Sequence, residues 1–259
     1  LIFTLHFSLF TFHSSPHYPF TLNRIKGKNS MNWISDFVSL IYPRICVCCG
    51  NSLWRHEQII CTACSFRLPR TNYHLELENP VSRVFHGRVN IESAAAFLLF
   101  NKGNKVQRLI HQLKYKGRKD IGIWLGLEYG QVLRYSPFFT CIDLIIPVPL
   151  HKKKLMLRGY NQSDLFAAGL SRAMNIPVEN KLLVRTRATA TQTRKGRYDR
   201  WKNVEEMFAI PDSLPLTDKH ILLVDDVITT GATLESCIAT LRAVKGVRVS
   251  VATIATAKL

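Results

Sequence analysis

The run Ile221-Leu222-Leu223-Val224 ends abruptly on two carboxylates, Asp225-Asp226, and the chain then turns through Val227-Ile228-Thr229-Thr230-Gly231-Ala232-Thr233. An apolar run with no polar alternation suits a strand buried on both faces of a sheet. Such a strand requires helices above and below it, and the flanking sequence supplies them. Ser93 to Phe100 reads as a buried strand, and Ile142 to Val148 as another, closed by Pro147 and Pro149. Leu182 to Arg185 reads as a short strand and Val247 to Thr256 as a closing one. Between them lie helical patterns at Val106–Tyr115, Ile121–Leu133, Asp164–Met174 and Glu235–Val244. In the first of these, Val106, Leu109, Ile110 and Leu113 share one face. Strands alternating with helices predict an α/β fold, a mainly parallel sheet flanked by helices, with ligands bound beyond the carboxyl ends of the strands.

The residues after Val224 suit an anion. Thr229, Thr230 and Thr233 offer hydroxyls, and Gly231 allows the backbone to approach a ligand with no Cβ in the way. The N–H groups opening the next helix, aided by its dipole, form a phosphate cradle. Two adjacent carboxylates such as Asp225 and Asp226 can accept hydrogen bonds from paired ribose hydroxyls and can help to hold Mg²⁺ directly or through water. A plain helix cap uses one Thr or Asp, fewer polar groups than stand here. The sequence has no G-x-x-x-x-G-K-[ST] and no G-x-G-x-x-G after a strand, so neither a P-loop nor a Rossmann dinucleotide site is supported.

Five of the seven cysteines lie between Cys46 and Cys64. Two C-x-x-C pairs, Cys46/Cys49 and Cys61/Cys64, present four thiolates from two knuckles, which suits tetrahedral Zn²⁺. Four thiolates also serve an iron–sulfur cluster, and spacing alone does not separate the two. Cys48 is a spare thiol able to replace Cys46 or Cys49, and His56 is a weaker candidate. A disulfide framework needs an oxidising compartment, and Cys141 and Cys237 read as lone core residues. The module, about Ile45 to Leu68, is too short to bury a core, so the metal would fold it.

With 35 Lys+Arg against 18 Asp+Glu the chain carries +17, which favours polyanionic partners, although a merely basic surface accounts for the charge as well. No stretch of about 18 apolar residues suggests a membrane span. The first thirty residues lack acidic side chains and fit targeting patterns poorly. They are expected to be a disordered, over-extended N-terminus, with translation starting at Met31. The expected organisation is then residues 31–72 as a helix plus the Cys₄ module and 85–259 as the larger domain.

Four blocks resemble the ComF/GntX family. They are the paired cysteines with Leu68-Pro69, and Val106–Ile110 with Leu113-Lys114-Tyr115-Lys116-Gly117. The others are Pro147-Val148-Pro149-Leu150 followed by Arg158-Gly159-Tyr160-Asn161-Gln162-Ser163, and the Ile221–Leu234 segment. The last also resembles the phosphoribosyl pyrophosphate (PRPP) signature of type I phosphoribosyltransferases. The resemblance implies a type I phosphoribosyltransferase fold preceded by a small zinc-ribbon-like module. It implies that Asp225 and Asp226 contact ribose hydroxyls and that Thr229, Thr230, Gly231, Ala232 and Thr233 hold the 5-phosphate. Pro147, Val148, Pro149 and Leu150 would lie near the pyrophosphate, with Arg158 and Lys152–Lys154 as sources of positive charge. The polar segment Arg185 to Asn203 resembles a loop that closes over the ligand. The ligand would be Mg·PRPP or a nucleotide 5-phosphate, with transfer to an unknown acceptor and no residue singled out as catalytic. The competing expectation is a non-catalytic accessory factor in competence, binding single-stranded DNA or DNA-uptake proteins. A cytoplasmic location is expected in either case.

Overall fold

The apolar runs of the sequence pair side by side. Among the described residues the strands are β1 (Ala94–Phe100), β2 (Leu144–Pro147), β3 (Val184–Arg185), β4 (Phe208–Ala209), β5 (His220–Ile228) and β6 (Arg248–Ala257). Four of them form an entirely parallel sheet in the order β1-β6-β5-β2. The computed structural model describes residues 43–101, 103–186 and 208–257, all within one unit, Pro43–Leu259. The N-terminal segment and most of Arg185–Asn203 therefore lie outside the described residues. The short strands β3 and β4 pair antiparallel and bracket that second segment, Val184 opposite Ala209 and Arg185 opposite Phe208.

Among the described residues the α-helices are α1 (Thr62–Phe66), α2 (Pro80–Arg83), α3 (Lys105–Tyr115), α4 (Lys119–Leu133), α5 (Lys152–Arg158), α6 (Gln162–Met174) and α7 (Ala232–Arg242). One core packs α3, α4 and α6 against Leu222, Val224, Ala252 and Ile254. A second packs α2 and α7 against Ile221, Leu223, Val249 and Val251. Alternate residues of β5 therefore feed opposite cores, as the period of a strand requires. The face expected of α3 is the one buried: Val106, Leu109, Ile110 and Leu113.

Helices α4 and α6 touch backbone to backbone. A Cβ on Gly126 would lie 2.2 Å from the carbonyl oxygen of Phe166, and one on Gly169 would lie 2.2 Å from that of Ile123. This contact holds the body of α6 close to the sheet core. Its first turn therefore starts beside the end of β2, where Asn161 caps it and also donates from Nδ2 to the Val148 carbonyl at 3.0 Å.

Three boundaries differ from expectation. Strand β5 does not stop at Val224 but continues through the acidic pair to Ile228, because both carboxylates find partners. Helix α7 begins at Ala232, directly after Gly231, with Glu235 N–H donating to the Gly231 carbonyl at 2.8 Å. Helix α5 has no counterpart in the sequence reading, since it buries none of its residues and so leaves no apolar periodicity. Cys237 is in the core as expected, whereas Cys141 is exposed, on a loop residue with φ of 55°.

Candidate functional site

Asp225 and Asp226 sit at the carboxyl edge of the sheet, one and two residues beyond Val224, which lies opposite Pro147 on β2 and Ala252 on β6. Asp225 Oδ1 accepts from the Ser163 hydroxyl at 2.9 Å and from the Asp226 N–H at 2.8 Å. Burial, followed by the neighbouring Asp226 charge, pushes the Asp225 carboxyl up to about 7 against those two hydrogen bonds. Asp226 Oδ2 lies 2.7 Å from Lys114 Nζ, in an ion pair whose side chains are only 15% and 20% exposed respectively. The two carboxylates are thus held by different elements, one by the start of α6 and one by the end of α3.

Beyond the pair, Asp225 and residues 227–234 line a shallow cavity of about 50 Å³. Thr229, Thr230 and Ala232 are exposed at its mouth, Thr233 is half-buried and Gly231 is buried. Gly231 has φ of 76°, the left-handed region, and a Cβ there would come within 2.5 Å of Val84 Cγ1. The turn is therefore restricted to glycine by both conformation and space. Arg88 braces its outside, donating to the Thr230 carbonyl at 3.2 Å and pairing with Glu235 at 3.4 Å. The 11-residue helix α7 starts at this turn, so its unpaired N–H groups and dipole open on the cavity.

The Pro147–Leu150 loop lies next to this edge. Pro147 and Val148 are buried, with Val148 N–H donating to the Val224 carbonyl at 2.9 Å, while Pro149 and Leu150 are half-buried. Arg158 closes α5 and is already engaged, donating to Gln162 Oε1 at 2.7 Å and lying 5.3 Å over the Tyr115 ring. Lys152, Lys153 and Lys154 are exposed on α5.

The four cysteines come together. The Sγ atoms of Cys46, Cys49, Cys61 and Cys64 all lie within 4.8 Å of one another, with Cys49 and Cys61 at 3.7 Å. A tetrahedral Zn²⁺ with bonds near 2.3 Å places its sulfurs about 3.8 Å apart, so the set fits a zinc module. Burial pushes the Cys46 thiol up, but the N–H groups of Cys61, Cys49 and Cys48 outweigh it and hold the thiol down at about 6. The Cys61 N–H donates to Cys46 Sγ at 3.3 Å. Cys48 is not in the cluster: it points to the Lys105 carbonyl, and burial pushes its thiol up to about 12. His56 is exposed and also outside it.

Residues 163–258 match the phosphoribosyl transferase domain family. The chain is 33% identical over 192 residues to the DNA utilization protein YhgH of Escherichia coli O157:H7, covering 73% of this chain and 80% of that protein. The chain belongs to the ComF family. It is also 42% identical over 93 residues to competence protein F of Haemophilus influenzae, covering 36% of this chain and 41% of that protein. Among solved structures it is similar to glutamine PRPP amidotransferase from B. subtilis, with a TM-score of 0.38 and 20% identity over 54% of this chain and 30% of that one. A likeness this loose identifies neither ligand nor reaction.

In this ComF-family chain three partners of the site had no role assigned from sequence: Ser163, Lys114 and Arg88. Ser163 and Lys114 stand inside motifs that were singled out, but only the fold shows which carboxylate each one meets. A larger cavity, about 250 Å³, lies apart from the acidic pair and is lined by Val47, Gln107, Arg108, His111 and Gln112, between the cysteine module and α3.

The thiol geometry predicts one tightly held metal ion per chain, measured by elemental analysis of the purified protein. Cys64→Ser should lose it and lower the melting temperature, whereas Cys48→Ser should retain it. Retention in Cys64→Ser together with loss in Cys48→Ser would contradict the assignment.

Proposed function

We propose that this ComF-family protein binds PRPP, or a nucleotide 5-phosphate, with Mg²⁺ at the carboxyl end of β5. The observation that carries this reading is the acidic pair followed two residues later by the Thr229–Thr233 turn around a small cavity at the start of α7. The turn's N–H groups and hydroxyls suit the 5-phosphate, and Asp225 and Asp226 suit the ribose hydroxyls and the cation. The Pro147–Leu150 loop is the proposed neighbour of the pyrophosphate. The module from about Ile45 to Leu68 acts as a structural Zn²⁺ site bracing the larger phosphoribosyltransferase-like domain. A cytoplasmic location goes with reduced, metal-binding cysteines.

Phosphoribosyl transfer would displace pyrophosphate from the sugar with a nitrogen nucleophile, through a transition state carrying positive charge on the ribose. The Mg²⁺ ion would offset the charge on the departing pyrophosphate. The site described supplies the donor half of that chemistry. Titration calorimetry with Mg·PRPP should show binding by wild type and a loss of at least about tenfold in Asp225→Ala/Asp226→Ala. Pyrophosphate release with a panel of nitrogen bases then separates a transferase from a sensor. Failure of the wild type to bind would remove the reading.

A second reading, an accessory role in DNA uptake with single-stranded DNA as ligand, is favoured by the groove between the cysteine module and α3. Arg108 and His111 line it, and the His111 ring lies 5.1 Å from that of the exposed Tyr115. Cations and rings in sequence suit unpaired bases on a phosphate backbone. Fluorescence anisotropy with a single-stranded oligonucleotide should show affinity that falls steeply with salt and is weakened by His111→Ala. Absence of binding at low salt would reject it.

A further inference from the structure

The Lys114–Asp226 ion pair ties a motif with no assigned role to the site. Lys114 stands on the last turn of α3, and both of its neighbours are engaged. The Tyr160 hydroxyl donates to the Leu113 carbonyl, and Arg158 lies over the ring of Tyr115. Tyr160 is followed by Asn161, whose side chain donates to the Val148 carbonyl at 3.0 Å. A continuous path, Leu113–Tyr160–Asn161–Val148, thus joins the end of α3 to the Pro147–Leu150 loop. Between these anchors the lysine side chain is a flexible four-carbon stem carrying a compact charge, held at its tip by Asp226.

That charge occupies a contested place. Two adjacent carboxylates repel one another in a half-buried site, and an ammonium at 2.7 Å from one of them relieves the repulsion. A divalent cation directed to the same pair meets Lys114 as a competitor for Asp226 Oδ2. Once the cation sits there, the displaced ammonium needs another anion. The phosphate oxygens of a ligand lying between the acidic pair and the Pro147–Leu150 loop provide one within the site.

We propose that Lys114 is a binding and positioning residue of the donor site, holding Asp226 while the site is empty and turning to the ligand's phosphate oxygens when a divalent cation takes Asp226. This inference rests on the reading of the site as a phosphorylated-ribose pocket. It makes the affinity for cation alone and the affinity for cation plus ligand respond oppositely to one substitution. A structural lysine would not do so.

The test is calorimetry on the full, metal-loaded chain with Mn²⁺ alone and with Mg·PRPP. Lys114→Gln should bind Mn²⁺ several-fold more tightly and Mg·PRPP about tenfold more weakly, with Lys114→Arg close to wild type in both. Equal affinities in wild type and Lys114→Gln, or a weakening toward both ligands, would overturn the proposal. Amine-reactive labelling of the wild type, read by mass spectrometry, gives the same answer should Lys114→Gln fail to fold. Mn²⁺ should raise the labelling of Lys114 and Mg·PRPP should lower it, whereas a rate indifferent to both would refute the exchange. If the wild type labels as expected with Mn²⁺ but binds no PRPP, the ligand reading fails and not the competition for Asp226.

Discussion

Two carboxylates on consecutive residues at the end of a buried strand repel each other and lose solvation together. Neither is left to do so alone here. Asp225 is met by the Ser163 hydroxyl and its neighbour's N–H, and Asp226 by the Lys114 ammonium. The two side-chain partners come from different helices, so the acidic pair holds only if the start of α6 and the end of α3 converge on β5. The Gly126–Gly169 contact between α4 and α6 and the Asn161 cap fix the first of these. The Tyr160 hydroxyl on the Leu113 carbonyl fixes the second. Even under these constraints the Asp225 carboxyl is held up at about 7, which marks the cost of the arrangement.

The cysteine module bears on the same point from further away. The Arg108 guanidinium donates to the Cys48 carbonyl at 2.6 Å, and Cys48 Sγ points to the Lys105 carbonyl. The first two turns of α3 are therefore clasped to the knuckle, while the last turn carries Lys114. Cys46, Cys48 and Cys64 also share a core with Val106, Leu109 and Leu113. A module too small for its own core thus finishes one side of the larger one, and in doing so it sets the position of a helix that reaches the acidic pair.

Much of this was legible in the sequence, for identifiable reasons. Apolar runs marked β1 and the first half of β5, and period-3.6 burial marked α3, because in each case solvent exclusion writes the pattern. Paired C-x-x-C spacing located four thiols that the fold brings within 4.8 Å. The end of β5 was not legible, since Asp225 and Asp226 resemble a strand terminus until their partners are known. Helix α5 was invisible because nothing in it is buried. The role of Lys114 depends on a contact between residues far apart in sequence, which local pattern does not encode. Thr191 and Gln192 of the expected covering loop lie outside the described residues.

Everything proposed for this site depends on the turn after β5 cradling the phosphate of a ribose 5-phosphate group. Amide hydrogen exchange with and without ribose 5-phosphate and Mg²⁺ tests it at the atoms concerned. Slowed exchange should be concentrated in the N–H groups of residues 229–233, with little change across the cysteine module. Unaltered exchange there, or protection confined to the groove beside α3, would contradict it.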